Sequence, residues 1–224
     1  MQNITTVILA AGRSTRFISS KSKLTHELAG YPIISHVFDS AKKISENIVV
    51  VCNKDNYSEL KNILIGCKLV IQKNQKGTAD AIEVAKKHIK TENFIILFGD
   101  VPLITDKSLK KLIRSFKKNN TGSMIAFETH RPKGYGRVVL NNNKVTKVVE
   151  EINASHDEKL IEFCNSGIML VKKSIFYKNI KLIKFNKKKK ERYLTDIFEI
   201  YFKKNIPFSF IASSENEMSG VNNL

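Results

Sequence analysis

The chain has 224 residues, of which 42% are hydrophobic and 26% charged, as in an ordinary globular protein. No apolar run approaches the roughly 18–20 residues of a membrane span, and the first residues lack the basic leader and cleavage site of a secretory signal. The cysteines are Cys52, Cys67 and Cys164, odd in number and without CxxC spacing. We therefore expect reduced thiols in the cytoplasm rather than disulfides or a zinc site.

The net charge of +17 is the property that could indicate nucleic-acid binding. However, only six of the 38 basic residues are arginine, and the lysines are spread over all the predicted helices. The one dense run, residues 187–190, is predicted to be a solvated loop. Scattered lysines with few aromatic neighbours form a poor base-stacking surface. We therefore expect the positive charge to help anionic small molecules approach the protein instead.

Apolar runs alternate with amphipathic patterns along the first half of the chain. Strands are predicted at residues 5–9, 48–52, 69–71 and 94–98, and most of these runs are nearly continuously hydrophobic, as in parallel strands covered on both faces. Helices are predicted at 33–44, with Pro32 in the first turn, at 57–64, at 79–89, and after a Thr105 cap through Phe116. This alternation predicts right-handed βαβ units and a doubly wound α/β sheet.

The pattern changes after residue 120. A strand is predicted at 124–129, a hairpin at 137–140 and 145–150 across the polar turn 141–143, further strands at 168–171 and 208–211, and a helix at 194–202. No linker-like composition or internal repeat divides the chain. We expect a single domain over 1–224, with a nucleotide-binding half at about 1–130, a small β-rich acceptor lobe at about 131–170 and a closing segment at about 171–224.

The first predicted strand ends at Leu9 and is followed by the small residues Ala10-Ala11-Gly12, and Arg13, Arg16 and Lys23 follow closely. Such a loop can bring backbone N–H groups up to a phosphate while the cations neutralise its charge. An ordinary strand–loop–helix corner with surface cations would look the same.

Further motifs follow in a fixed order. They are Leu9-Ala10-Ala11-Gly12 with Thr15-Arg16, Lys23, Gln72, Gln75-Lys76-Gly77-Thr78-Ala79, Phe98-Gly99-Asp100-Val101-Pro102-Leu103, Gly134-Tyr135-Gly136-Arg137, Val149-Glu150, Asn165-Ser166-Gly167, Tyr193-Leu194-Thr195-Asp196 and Gly220-Val221-Asn222-Asn223. Their order resembles the sugar-1-phosphate nucleotidyltransferases, most closely the uridylyltransferase domain of the bifunctional enzymes that make UDP-N-acetylglucosamine. The resemblance spans almost the whole chain. It implies a Rossmann-like nucleotide-diphospho-sugar transferase fold, a mostly parallel sheet flanked by helices.

The resemblance also implies an activity: Mg²⁺-dependent transfer of UMP from UTP to a sugar 1-phosphate, with N-acetylglucosamine 1-phosphate the best match. The implied catalytic residues are Arg16, Lys23 and Asp100. The implied nucleotide-binding residues are Leu9, Ala10, Ala11, Gly12, Lys23, Gln72, Gly77, Thr78 and Gly99. Gly136, Glu150, Asn165 and Thr195 would bind the sugar, and Asp100 with Asn222 would bind the metal.

Several of these residues also have simpler interpretations. Thr78 could be the N-cap of a helix, Glu150 a solvated charge at a hairpin end, Thr195 and Asp196 helix caps, and Asn222 a tail residue. Asp100, which follows Phe98-Gly99 and precedes Pro102, is poorly explained as a core residue, so a Mg²⁺ ligand is the better interpretation.

The chain departs from the family at Ser14 for glycine, Ser22 for proline, Asp80 for histidine and Phe98 for tyrosine. These changes retain the residues implied to bind phosphate and metal, but they leave the identity of the base and of the sugar open.

The chain ends at Leu224, where the bifunctional enzymes continue into an acetyltransferase domain, so we expect neither acetyl transfer nor that domain's trimer. Three alternatives remain: another base or acceptor (CTP with a phosphorylated alcohol, or another hexose 1-phosphate), a non-catalytic sugar-nucleotide-binding paralogue, and a basic RNA-binding protein.

Overall fold

The computed structural model describes residues 3–12, 22–186 and 190–221. Its strands are β1 Ile4–Ala10, β2 Glu27–Leu28, β3 Tyr31–Pro32, β4 Asn47–Cys52, β5 Lys68–Ile71, β6 Asn93–Phe98, β7 Gly122–Glu128, β8 Arg137–Asn141, β9 Lys144–Val149, β10 Phe163–Lys172 and β11 Ser209–Ser213. Its α-helices are α1 Ile33–Lys42, α2 Tyr57–Ile63, α3 Thr78–Ala85, α4 Asp106–Lys117, α5 His156–Lys159, α6 Lys173–Ile180, α7 Asp196–Lys203 and α8 Glu215–Met218. Short 3₁₀ turns lie at Lys23–Thr25, Lys86–His88 and Glu151–Asn153.

The central sheet has the order β11-β7-β10-β6-β1-β4-β5 within the described residues. β1 pairs in parallel with β4 and β6, β4 with β5, and β11 with β7. β10 runs antiparallel between β6 and β7. This mostly parallel sheet flanked by helices confirms the predicted α/β, Rossmann-like fold.

Both faces of the sheet are covered, which explains why its central strands are continuously hydrophobic. The side chains of consecutive strand residues point to opposite faces, so Val7 and Ile8 of β1 belong to different buried clusters. Residues of α1, α2 and α4 pack in the cluster with Ile8, and residues of α3, α6 and α7 pack in the cluster with Val7.

The parallel strands β1, β4, β5 and β6 end at one edge of the sheet, where open α/β sheets bind ligands. The β8–β9 hairpin reaches the same edge because it pairs with β10 at Arg137 and Cys164. Its tip turns at Asn142 and Asn143, both with positive φ, as a tight hairpin turn requires.

Several predicted boundaries were wrong. The helix predicted at 79–89 ends at Ala85 and continues as a 3₁₀ turn, and the helix predicted at 194–202 begins at Asp196. The strand predicted at 168–171 is the end of β10, which begins at Phe163 and shifts register between Asn165 and Met169. That irregularity interrupts the apolar alternation, so the sequence pattern shows only the second half.

Other elements had no prediction: α5, α6, α8 and the small hairpin of β2 and β3. By contrast, Thr105 caps α4 as predicted, because its hydroxyl accepts a hydrogen bond from the backbone N–H of Ser108. Pro32 lies at the cap position of α1 rather than in its first turn. No described helix is long and apolar enough to cross a bilayer.

Candidate active site

A cleft of about 1050 Å³ lies at the carboxyl edge of the parallel strands. Most of the predicted site residues that the structure describes line it: Leu9, Ala10, Ala11, Gly12, Lys23, Gln72, Gly77, Thr78, Asp100, Gly136, Glu150, Asn165 and Thr195. Gly99 lies beside the cleft, where its N–H donates to the Leu9 carbonyl at 2.9 Å. Two predicted residues, Arg16 and Asn222, lie outside the described residues.

The loop after β1 is held in place by three side-chain amides, and no sequence pattern indicated these contacts. Asn56 Nδ2 donates to the Ala10 carbonyl at 2.8 Å, and Asn53 Nδ2 donates to the Ala11 carbonyl at 3.3 Å. Gln75 Nε2 also donates to the Ala11 carbonyl, at 2.7 Å. Both asparagines are buried. The signal that could have found them is their position directly after β4, at the same sheet edge.

Lys23 and Asp100 form an ion pair, although 77 positions separate them in the chain. Lys23 Nζ lies 2.7 Å from Asp100 Oδ2, and the two side chains are only 14% and 27% exposed. Lys23 begins a 3₁₀ turn whose N-cap is Ser22. Val221, the last described residue, donates its N–H to the Asp100 carbonyl at 2.8 Å. The structure therefore brings together the two predicted catalytic residues that it describes.

One wall of the cleft, here called the Gln72 wall, is built around Gln72 and the turn before α3. Gln72 Nε2 donates to the Gly77 carbonyl at 3.1 Å and to Asp80 Oδ2 at 2.7 Å. Gly77 has φ +100°, and a Cβ there would lie 2.5 Å from the backbone oxygen of Arg192. The N-cap interpretation of Thr78 was wrong: Gly77 occupies the cap position, and the Thr78 hydroxyl accepts from the N–H of Leu194.

A second wall, here called the Glu150 wall, is built around Glu150, which accepts a 2.8 Å hydrogen bond from the Thr195 hydroxyl. Burial raises the pKa of Glu150, and the nearby charge of Glu191 adds to the rise. Burial also raises the pKa of Asp196 to about 6, with further contributions from Glu150 and Glu199. The interpretation of Glu150 as a solvated charge was therefore wrong.

Thr195 lies at the N-cap position of α7, but its side chain makes no capping hydrogen bond. Asp196 is not the cap either, since it is the first residue of the helix. The backbone N–H of Asn165 donates to the Gly136 carbonyl at 2.8 Å, and Asn165 Oδ1 accepts a hydrogen bond from the N–H of Gly167.

Residues 190–195 connect the Gln72 wall to the Glu150 wall. The Arg192 N–H donates to the Lys76 carbonyl at 2.8 Å, and the Arg192 carbonyl accepts from Ala79. The Arg192 guanidinium pairs with Glu83 on α3. Lys190 lines the cleft together with Lys73 and Lys76. The cleft is therefore lined by cations that suit a polyphosphate ligand.

A divalent cation fits the donor chemistry of the Asp100 corner. The described residues contain no cluster of three or more His, Cys, Asp or Glu side chains able to enclose a metal. Mg²⁺, however, commonly uses one or two protein oxygens and takes its other ligands from phosphates and water. Asp100 supplies one such carboxylate, at the cleft and next to a lysine.

The comparison with known protein families identifies this architecture. The family described as MobA-like NTP transferase domain matches residues 6–166, which include most of β1, the Lys23–Asp100 pair and the Gln72 turn. The chain belongs to this family.

Among curated relatives of this NTP transferase, the bifunctional protein GlmU of Campylobacter fetus subsp. fetus is 36% identical over 99% of this chain and 51% of that protein. The GlmU protein of Agrobacterium fabrum is 35% identical over 97% of this chain and 49% of that protein. The chain thus spans about half the length of the curated relatives it matches.

Solved structures of other transferases share the fold of this NTP transferase. A structure assigned as a glucose-1-phosphate thymidylyltransferase from Bacillus anthracis, with sucrose bound, aligns with a TM-score of 0.74 over 97% of this chain and 88% of that chain, at 17% identity. A CMP:2-keto-3-deoxy-manno-octonic acid synthetase in complex with CTP aligns with a TM-score of 0.68 over 99% of this chain and 94% of that chain, at 16% identity. At these identities the alignments show a common fold and leave the base and the acceptor open.

Proposed function

We propose that this NTP transferase moves UMP from UTP to a sugar 1-phosphate, N-acetylglucosamine 1-phosphate in the first instance, and releases pyrophosphate. The observation that carries the proposal is the Lys23–Asp100 pair in the cleft. Gln72 supplies an amide on one wall of this cleft, and Thr195 and Glu150 supply a hydroxyl and a carboxylate on another. The similarity to GlmU proteins along almost the whole chain supports the choice of UTP and N-acetylglucosamine 1-phosphate.

The proposed reaction needs no nucleophile from the protein. A phosphate oxygen of the sugar 1-phosphate attacks the α-phosphorus of UTP, a new P–O bond forms, and the bond to the β-phosphate oxygen breaks. Because the attacking phosphate is already ionised, catalysis rests on positioning and on charge stabilisation. Lys23 would stabilise the negative charge that develops as pyrophosphate leaves.

The other residues of the cleft would bind and orient the two substrates. The loop of Leu9 to Gly12 and the Gln72 side would receive the nucleotide, and Glu150 and Asn165 would bind sugar hydroxyl or amide groups. Asp100 would hold Mg²⁺, with Asn222 as its predicted second ligand. The ion would supply charge neutralisation on the phosphates. We also propose that the enzyme acts in the cytoplasm, with its three cysteines as free thiols.

A substrate panel tests this proposal. Pyrophosphate release is measured for UTP, dTTP, CTP, ATP and GTP, each with N-acetylglucosamine 1-phosphate, glucose 1-phosphate and a phosphorylated alcohol, with and without Mg²⁺. We expect the highest kcat/KM for UTP with N-acetylglucosamine 1-phosphate, and loss of the reaction without the ion. A faster reaction with another pair would replace the proposed substrates. Tight binding of UDP-sugar with no pyrophosphate release from any pair would indicate a non-catalytic paralogue instead.

A further inference from the structure

The side-chain amide of Gln72 is held in one orientation by two neighbours. Gln72 follows β5 at the sheet edge, is only 4% exposed, and lines the cleft. Its Nε2 donates one hydrogen bond to the Gly77 carbonyl, at 3.1 Å, and another to Asp80 Oδ2, at 2.7 Å.

Both of these neighbours can only accept. A backbone carbonyl has no hydrogen to donate, and neither has an ionised carboxylate. A glutamine amide has two N–H hydrogens on nitrogen and lone pairs on oxygen, so the two acceptors use both donors. The reversed amide would place Oε1 against the Asp80 carboxylate, with two acceptors facing each other. The hydrogen-bonding chemistry therefore fixes which end of the amide faces Asp80.

The fixed orientation leaves Oε1 as the free end of the amide. This oxygen accepts no hydrogen bond from the described residues, so it remains available to a ligand that lies against the Gln72 wall of the cleft. Uracil and thymine carry a ring N–H at position 3 that can donate to such an oxygen. Cytosine carries an acceptor at the same position, and two acceptors facing each other repel.

We propose that Asp80 is a positioning residue for base selectivity: its carboxylate holds Gln72 so that the cleft takes a pyrimidine with a ring N–H and disfavours cytosine. The inference deepens the proposed function and rests on it, because it assumes that a nucleotide base occupies this wall.

Asp80 contributes more to this orientation than Gly77. Its hydrogen bond is shorter and involves a charge, and charge-assisted hydrogen bonds are roughly twice as strong as neutral ones. Asp80 also lies in the first turn of α3, where the helix dipole favours a negative charge. An asparagine at this position could offer either an oxygen or an N–H group, so both orientations of Gln72 would become accessible.

The test is nucleotide binding at equilibrium, without acceptor. Isothermal titration gives the Kd of UTP and of CTP, each with Mg²⁺, for the wild type, Asp80→Asn and the control Asp39→Asn. Asp39 lies on α1, with its side chain 62% exposed. We expect the wild type and the control to bind UTP more tightly than CTP. In Asp80→Asn the ratio of the two Kd values should fall by about tenfold, the scale of one unpaired buried polar group. The same ratio in Asp80→Asn and wild type, or a wild type that prefers CTP, would overturn the inference.

A second arm uses only the wild-type chain, so it holds even if Asp80→Asn does not fold. UTP analogues methylated at ring position 3 and at ring position 5 are compared with UTP. Only the first lacks the N–H, so we expect it alone to lose at least tenfold in affinity. Equal binding of the position 3 analogue and UTP would overturn the inference. Absence of pyrophosphate release in the substrate panel would defeat the proposed function but leave these binding ratios interpretable.

Discussion

Two lysine–aspartate pairs of equal length have very different surroundings in this molecule. Lys23–Asp100 and Lys42–Asp39 both measure 2.7 Å, but the first lines the cleft and the second lies on the outer face of α1, with side chains 53% and 62% exposed. Exposed pairs of the second kind contribute little, typically about 0–1 kcal/mol. The first pair concentrates both signs of charge where a triphosphate and a cation would bind.

The cleft pair therefore gives the first prediction. Asp100→Asn keeps the size of the side chain but removes its charge, and Lys23→Ala removes the cation. Each should lower kcat by about 10²-fold or more, the scale of one lost preorganised electrostatic contact. Steady-state pyrophosphate release measures the effect, and Asp39→Asn and Lys42→Ala serve as matched controls. Cleft variants that turn over like these controls would defeat the assigned roles.

Asp196 gives a prediction on pH. Folding raises its pKa from 3.8 to about 6, so the folded chain retains a proton there that the unfolded chain releases. The contribution of Asp196 to the stability of the wild type therefore falls as the pH rises from about 4 to 7, whereas Asp196→Asn cannot titrate. The stability difference between Asp196→Asn and wild type should shift in favour of the variant over this range. The shift should be at most about 3 kcal/mol, since one pKa unit corresponds to about 1.4 kcal/mol.

Thermal or urea unfolding at several pH values measures this difference. Asp157→Asn, at an exposed position on α5, is the control for loss of a carboxylate. Since Glu150 and Glu199 contribute to the pKa of Asp196, Glu150→Gln should reduce the shift. A difference between Asp196→Asn and wild type that stays constant from pH 4 to pH 7.5 would contradict the prediction.

At the scale of elements, the turn between β5 and α3 is fixed by its contact with residues 190–195. Gly77 and Gly66 both have positive φ, +100° and +84°, but only Gly77 is crowded, because its Cβ would lie 2.5 Å from the Arg192 backbone oxygen. Nothing lies within 4 Å of the equivalent position at Gly66. Alanine substitutions at these two glycines therefore distinguish the effect of backbone strain, which both share, from the effect of a steric clash with a neighbouring segment, which only Gly77 has.

We predict that Gly66→Ala and Gly77→Ala both destabilise the chain, by about 1–3 kcal/mol from backbone strain. Gly77→Ala should lower the Tm further than Gly66→Ala, because the added methyl group pushes residues 190–195 away from α3. It alone should weaken UTP binding, since Gly77 also accepts from Gln72. Differential scanning calorimetry and nucleotide titration measure the two effects. Equal Tm values and equal UTP affinities for the two variants would show that the contact with Arg192 does not matter.

The sequence also predicts the elements unevenly, for physical reasons. The buried runs of β1, β4 and β6 are continuous and flanked by polar residues, so their pattern is plain. In contrast, α6 follows β10 directly, with no glycine or proline between them. It could not be separated from the strand by local signals. The start of β10 is hidden by the polar segment Asn165-Ser166-Gly167, where the strand is irregular.

At the scale of the whole molecule, the predicted site depends on contacts that no local pattern shows. Motif order, through family resemblance, placed Lys23 and Asp100 in one cleft, and the structure brings them within 2.7 Å. The same motifs did not indicate that Asp80 contacts Gln72 or that Asn56 holds the Ala10 carbonyl. These residues act through pairings 8 and 46 positions apart, so only the folded chain shows their partners.

Another such long-range contact joins α8 to α4. The Glu217 carboxylate accepts from the backbone N–H and hydroxyl of Thr105 and from the hydroxyls of Ser108 and Ser213. Burial alone would raise the pKa of Glu217, but these hydrogen bonds outweigh it and lower the pKa. The segment that follows α8 reaches the cleft, where Val221 bonds to Asp100. Glu217 therefore ties this segment to the N-terminus of α4.

We predict that Glu217→Gln lowers stability by roughly 1–3 kcal/mol, because charge-assisted hydrogen bonds are replaced by weaker ones. For a chain of this size, each kcal/mol corresponds to a Tm change of about 2–4 °C. Because the folded pKa of Glu217 is lowered from its ordinary value of 4.5, the wild-type advantage should be complete above pH 4.5 and should be lost as the pH falls through the lowered pKa of the folded chain. Glu46→Gln, at an exposed position between α1 and β4, is the matched control. Equal Tm values for Glu217→Gln and Glu46→Gln at pH 7 would show that α8 is not held by this carboxylate. If α8 also positions Val221 beside Asp100, kcat should fall in Glu217→Gln and stay unchanged in Glu46→Gln.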